Sequence, residues 1–212
     1  MSQRTTGLRA VLSSAAVYQG VQDLLGARGF QRRFVREFVR PPAGSQLLDI
    51  GCGTAALLEH LPDDVGYHGF DLSERYITAA RQRWGARGQF WAASVADAPR
   101  LTGARFARAT AVGVLHHLDD AEARGLVALA AAALTDDGAL VTYDPAHTPA
   151  TGRAARFLLD RDRGQHVRTP DAYAALVGAG FASIEVVPLV GHLRIPYTAC
   201  VIIARGPKRV AS

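Results

Sequence analysis

Residues 47–56 read Leu47-Leu48-Asp49-Ile50-Gly51-Cys52-Gly53-Thr54-Ala55-Ala56, an apolar run that breaks at two glycines. Gln46 to Ile50 has the length and composition of a buried strand, and a helix is expected from about Thr54 to Leu61. Glycines at such a turn let the backbone double back and let a ligand approach the main chain, and a helix N-terminus adds unpaired N–H donors. Some distance on, Asp71 closes a second strand, Tyr67 to Phe70. A carboxylate there can accept both hydroxyls of a ribose. Together the two features predict a nucleoside cofactor.

Two cofactors fit this pattern. Gly51-x-Gly53-x-x-Ala56 satisfies the dinucleotide fingerprint, whose last position tolerates alanine. Asp49 separates them. A carboxylate two residues before the first glycine repels a pyrophosphate, but suits a ligand carrying a sulfonium and an ammonium, directly or through water. S-adenosylmethionine is such a ligand.

Working outward, strands and helices alternate. Ser73 caps a helix that runs to Trp84 and stops at Gly85. Strands follow at Gln89 to Ala92 and Phe106 to Gly113, and a helix runs from Asp119 or Asp120 to about Leu134. After the turn Thr135-Asp136-Asp137-Gly138 comes a fifth strand, Ala139 to Tyr143. Thr169 and Pro170 open a last helix, closed by Gly180, and Ser183 to Val187 and Thr198 to Ala204 are the final strands. Strand-helix-strand repeats imply an α/β fold with helices on both faces of a mostly parallel, Rossmann-like sheet of seven strands. Only a loop joins the last two strands, so the last is expected to be antiparallel. One domain is expected over residues 1–212: a helical cap or lid at 1–44, a cofactor core at 45–144 and an acceptor-side region at 145–212.

The composition, 49% apolar and 20% charged over 212 residues, suits one globular core and argues against disorder. The longest apolar run, Leu126 to Leu134, is too short for a membrane span. Leu8 to Val17 faintly imitates a secretory leader, but Ser13 and Ser14 interrupt it. Two cysteines, Cys52 and Cys200, do not make a disulfide framework, and the reading is cytoplasmic. The net charge of +5 arises within the first 40 residues, where seven arginines face Asp23 and Glu37; it is weak support for a nucleic-acid partner. Phe30, Phe34, Val35, Phe38 and Val39 recur at helical spacing opposite Arg32, Arg33, Arg36 and Arg40, a pattern read as a helix laying its apolar stripe on the body.

Residues 46 to 144 resemble the core of the class I S-adenosylmethionine-dependent methyltransferases. The resemblance implies that the loop of Asp49, Gly51, Cys52 and Gly53 holds the methionine part of the cofactor and that Asp71 holds the ribose, with Leu72 and, from the N-terminal segment, Tyr18 in the same cofactor set. Val112-Gly113-Val114-Leu115-His116-His117-Leu118 resembles the family's segment ending strand four, whose backbone, Gly113 and Val114 here, lines the methionine side. Ala55 stands where the family usually has a third glycine. Ser94 stands where it often has an aspartate facing adenine, with Asp97 three residues on and the Val95 amide able to meet the ring. No metal is assigned.

Methyl transfer is a displacement that requires alignment and exclusion of water, and an oxygen nucleophile of high pKa also requires a base. His117, His147 and His166 are the candidates, although His116 and His117 are also read as orienting their loop. The Asn-Pro-Pro-Tyr type of motif found in amino-methylating nucleic-acid enzymes is absent, so a small-molecule acceptor is expected, with oxygen favoured over nitrogen or carbon. A nicotinamide oxidoreductase and a binding protein without turnover are the rival classes. The arginines of the N-terminal segment, with its Phe30 to Arg40 helix, and of the long Pro145 to Arg168 segment predict an anionic acceptor under a lid made from the two.

Overall fold

A computed structural model describes residues 27–160 and 164–208; Tyr18 lies outside them. Helix α1 spans Ala27–Phe34 and continues as a wider π turn, Val35–Val39. The turn ends at Arg40 in the left-handed region, with its N–H on the Val35 carbonyl. Pro41 and Pro42 follow and cannot continue a helix. Then come β1 (Gln46–Ile50), β2 (Gly66–Asp71), α2 (Glu74–Trp84), β3 (Gln89–Ala92), α3 (Ala98–Thr102), β4 (Phe106–Val112), α4 (Asp120–Ala133), β5 (Leu134–Pro145), α5 (Arg153–Leu159), α6 (Pro170–Gly178), β6 (Phe181–Val190) and β7 (Thr198–Pro207).

The strands form one sheet in the order β3-β2-β1-β4-β5-β7-β6. Pairing is parallel from β3 through β5, and β7 runs antiparallel to both its neighbours. The expected antiparallel last strand is present, but it inserts between β5 and β6, so the rim strand is β6. The strand order reverses between the parallel neighbours β1 and β4, whose onward connections lead to opposite sides of the sheet. Ligands of such sheets bind outside the carboxyl ends of the strands at that point.

Alternating residues of β1 face two cores. Leu48 and Ile50 pack with Ala111, Leu140, Val127 and Leu176 against α4 and α6. Leu47 packs on the other side with Val141, Val201, Phe34 and Val39. The phenylalanine stripe is therefore covered by the body, as its spacing predicts, and residues 30–39 are part of the core. A lid drawn from this stretch would have to tear Phe34 and Val39, both buried, out of the sheet face. Arg28 pairs with Glu59, and Arg33 and Arg36 with Glu37.

Three expectations change. The helix at Thr54 to Leu61 is only a 3-10 turn, Ala56–His60. Ala55 takes a left-handed conformation, φ 56°, and its N–H closes a turn on the Cys52 carbonyl at 2.8 Å. A helix cannot start through that residue. The turn Thr135 to Gly138 is drawn into β5, with a register shift against β4 between Phe106 and Arg108. The Pro145 to Arg168 segment is not all loop: Ala146 bridges Arg168, and α5 lies between them.

Candidate functional site

The glycine loop leaves β1 at the carboxyl edge of the sheet. Gly51 and Gly53 both have positive φ, 67° and 54°. A Cβ on Gly51 would stand 2.7 Å from Val114 Cγ2, whereas one on Gly53 would meet nothing within 4 Å. The first glycine thus lets the end of β4 close on the loop, and the second faces open space.

The loop's own amides are committed. The N–H groups of Gly51 and Cys52 both donate to the Phe70 carbonyl, at 2.8 and 3.0 Å. That of Gly53 donates to Asp71 Oδ2 at 3.0 Å, and that of Ala55 to Cys52. In place of the expected α-helix N-terminus stands the 3-10 turn that begins at Ala56. The glycine amides are turned inward, whereas a phosphate cradle needs such amides turned outward. Cys52 turns its thiol toward Gly69 and Tyr67, where burial pushes its pKa up, so its side chain belongs to the packing.

Asp49 is 3% exposed. Its two oxygens accept from the Tyr67 hydroxyl at 2.6 Å and the Thr110 hydroxyl at 2.7 Å. A buried carboxylate needs such donors. Its pKa is raised to about 6: burial lifts it, the two hydroxyls offset part of that rise, and the charge of Asp71 adds to it. Asp49 therefore supplies negative potential from beneath the loop rather than a free hand to a ligand.

Asp71 closes β2. Besides Gly53, it accepts from the Ser73 N–H through Oδ1 at 2.8 Å. Each oxygen retains a lone pair, so the carboxylate that ties down the loop can also receive hydroxyls. Leu72 is 82% exposed, an apolar side chain set beside that carboxylate. Ser94 caps the 3-10 turn Val95–Asp97, its Oγ accepting from Ala96 N–H at 3.2 Å. Asp97 is paired with Arg100. Ser94 and Val95 sit at the end of β3, which neighbours β2 in register.

Past β4 the chain passes Gly113 and Val114 into the turn Leu115–His117. His116 is buried and paired with Asp144, Nδ1 to Oδ1 at 2.8 Å. His117 is exposed, its ring centroid 4.0 Å from that of His116. The main chain of residues 164–168 folds back here: His166 N–H donates to the His116 carbonyl and His147 N–H to the Arg168 carbonyl. The three candidate bases thus gather at the ends of β4 and β5, along with His116. Asp144 was not foreseen. Its signal was the one that exposed Asp71, an acid closing an apolar strand.

Arg168, expected to meet an acceptor, is spent on the fold. Its side chain is 10% exposed. It donates to the carbonyls of Leu115, His166 and Leu118 and pairs with Asp120. Arg153 and Arg156 on α5 are exposed.

Residues 47–138 match the family described as methyltransferase domain. Over that stretch, from the glycine loop to the start of β5, the chain is similar to that family. An uncharacterised protein of Synechococcus sp. is 37% identical to it over 93 residues, 40% of this chain and 22% of that one. The chain thus spans about a fifth of that relative's length. Among solved structures, the Haemonchus contortus phosphoethanolamine N-methyltransferase 2, solved with phosphomonomethylethanolamine and S-adenosylhomocysteine, superposes with a TM-score of 0.71 at 14% identity, covering 95% of this chain and 59% of that one. The mitomycin 7-O-methyltransferase gives 0.69 at 17%, covering 90% and 56%. At these identities the likeness is one of fold. Among the described residues no helix of the domain is long and apolar enough to cross a membrane.

Proposed function

We propose that the protein transfers the methyl group of S-adenosylmethionine to a small-molecule acceptor, at a hydroxyl oxygen. The observation that carries this reading is the inward commitment of the glycine-loop amides above a buried carboxylate. Such a loop offers a ligand space and negative potential, which suits a cation and disfavours the pyrophosphate of a nicotinamide dinucleotide. The cofactor supplies a methyl group on a positively charged sulfur, ready for displacement.

The chain's own residues do the rest. In this reading Asp71 receives ribose hydroxyls and Leu72 lies against the base, with Ser94 and the Val95 amide at the end of the neighbouring strand. Gly51, Gly53, Gly113 and Val114 shape the methionine side. In this reading the histidines at the ends of β4 and β5 stand on the acceptor side, and a base there favours an oxygen nucleophile. The two fold neighbours are methyltransferases named for small molecules, phosphoethanolamine and mitomycin, which supports that acceptor class.

Calorimetry with S-adenosylmethionine, S-adenosylhomocysteine and NAD tests the reading. Micromolar binding of the sulfur ligands without NAD is expected. Asp71→Ala should weaken that binding at least tenfold in a folded protein, because charge-assisted bonds are lost. NAD binding, or unchanged affinity in the folded variant, would overturn it.

A further inference from the structure

A cleft of about 420 Å³ opens between the start of α1 and the turn that joins β6 to β7, lined by Arg28, Phe30, His192, Leu193 and Arg194. Because β7 runs antiparallel to β5, with Ala199 opposite Pro145, this turn stands at the same edge of the sheet as the end of β5. The cleft has an aromatic floor. The Phe30 ring centroid is 4.5 Å from that of Tyr143 and 5.1 Å from that of His192, and the Tyr143 hydroxyl meets His192 Nε2 at 2.8 Å. The Tyr143 carbonyl accepts the Gly113 N–H at 2.7 Å, which ties the floor to the end of β4. His192 Nδ1 is buried with no hydrogen-bond partner among the described residues, and a buried polar atom left so calls for a reason. Charge supplies one. Arg28 and Arg33 approach the ring from α1 and Arg194 from the turn, beside the hydroxyl-bearing rings of Tyr143 and Tyr197. No carboxylate is among the lining residues. Glu59, which pairs with Arg28, is shared with Arg83, and Glu37 pairs with Arg33 and Arg36. Positive charge is thus in excess at the mouth of the cleft. Burial, aided by Arg33, lowers the His192 pKa to about 4, so the ring is neutral at pH 7.

We propose that this cleft binds a small, flat, apolar carboxylic acid, its carboxylate between Arg28 and Arg194 and its body against Phe30 and Leu193. The planar guanidinium fork matches a carboxylate, and the bonds it makes to one are charge-assisted. The carboxylate also gives His192 Nδ1–H the acceptor it lacks. A volume of about 420 Å³ lies at the small end of the ligand-site range, which suits one or two fused rings. With the imidazole neutral, two arginines and an apolar wall suit a monoanion. Two sources carry this chemistry, the methyl acceptor itself or a regulator of the transfer. The bond from Gly113 to the floor of the cleft favours the acceptor, an assignment that rests on the methyltransferase reading above. A bound carboxylate raises the pKa of the ring beside it. The acid should therefore bind more tightly as pH falls from 7 toward 5, and less tightly as pH rises through the raised value.

The test titrates the full chain with 2-naphthoate and its neutral isostere 2-naphthamide between pH 5 and pH 7, by calorimetry and by NMR of labelled histidine rings. The acid should bind at least about tenfold more tightly than the amide, as expected of charge-assisted recognition, and should move the His192 signal. Arg28→Gln and Arg194→Gln should each reduce that preference to about threefold or less, with naphthamide and S-adenosylhomocysteine affinities unchanged within about twofold. His192→Gln should remove the pH dependence. Methyl transfer from labelled S-adenosylmethionine to 6-hydroxy-2-naphthoate, with a raised KM in Arg194→Gln, would make the acid the acceptor. Binding without transfer would keep the site and overturn the acceptor assignment in favour of a regulator. Equal binding of acid and amide, no naphthoate binding in the millimolar range, or a His192 signal unmoved by naphthoate would overturn the site itself. Failure to bind S-adenosylhomocysteine would overturn the methyltransferase reading instead.

Discussion

The two ends of the site are built on opposite plans. At the ends of β1 and β2, the carboxylates of Asp49 and Asp71 are met by hydroxyls and amides from within about 60 residues, and the glycine loop closes on itself. At the ends of β4 and β5, an imidazole, a carboxylate and a guanidinium are drawn from residues 116, 144 and 168, held by the return of a long segment. The first plan makes a socket whose shape exists before any ligand arrives. The second makes a reactive surface whose parts depend on one another. A socket should fail by loss of space, and an assembled surface by loss of support.

The largest effect should come from filling the socket. Gly53→Val places a β-branched side chain where the Cβ alone meets nothing within 4 Å, so little but a ligand would notice it, apart from the cost of about 1–2 kcal/mol for a left-handed residue. Binding of S-adenosylhomocysteine should fall at least about a thousandfold, roughly 4 kcal/mol, with a melting curve lowered only by that backbone strain. Retained binding would mean that the space above Gly53 is not the ligand's. Gly51 is a poorer probe, because its Cβ would strike Val114 and disturb both ends together.

Asp49 gives the next effect, through pH. Its folded pKa, about 6, lies above the ordinary value of 3.8. A carboxyl raised by burial favours folding while protonated, so the contribution of Asp49 to stability is greatest below pH 4, falls as pH rises to about 6, and is flat beyond. The fall amounts to about 3 kcal/mol at 1.4 kcal/mol per unit. Asp49→Asn should abolish it. The variant's melting temperature relative to wild type should rise by several degrees between pH 4 and pH 7, while binding of the cationic cofactor at pH 7 weakens. A difference curve flat with pH would show that Asp49 is not ionised against a burial cost.

This contrast also explains what the sequence could show. The socket was legible because its parts lie in one contiguous run plus one acid, and the strand period assigns each residue a face. Asp49, Gly51, Gly53 and Asp71 do converge. What failed there was local: Ala55, read as the first turn of a helix, is left-handed, because the turn closing on Cys52 outweighs alanine's helix preference. The acceptor side was legible only as a list of histidines and arginines. Nothing in residues 145–168 states that Arg168 returns to the carbonyls of Leu115 and Leu118, or that Asp144 meets His116, because such pairings are set by strand order. The charge of Arg168 suggested a ligand, and the fold uses it as a clamp.

That clamp supplies the smallest and most discriminating prediction. If Arg168 recognised an anionic acceptor, Arg168→Ala would spare the fold and weaken acceptor binding. The geometry says the reverse: truncation strands the carbonyls of Leu115, His166 and Leu118 and frees Asp120, whose carboxyl Arg168 holds below the usual range. Because water can reach part of this turn, the cost should be about 1–3 kcal/mol, a fall in melting temperature of a few degrees for a chain of this size. S-adenosylhomocysteine affinity should change little, since the socket does not lean on Arg168. The turn carrying His116 should loosen, seen as faster hydrogen exchange at residues 115–118 and 164–168 with residues 49–53 unaffected. Were exchange to quicken equally in both regions, the two ends would form one cooperative unit and the division between socket and assembled surface would be wrong.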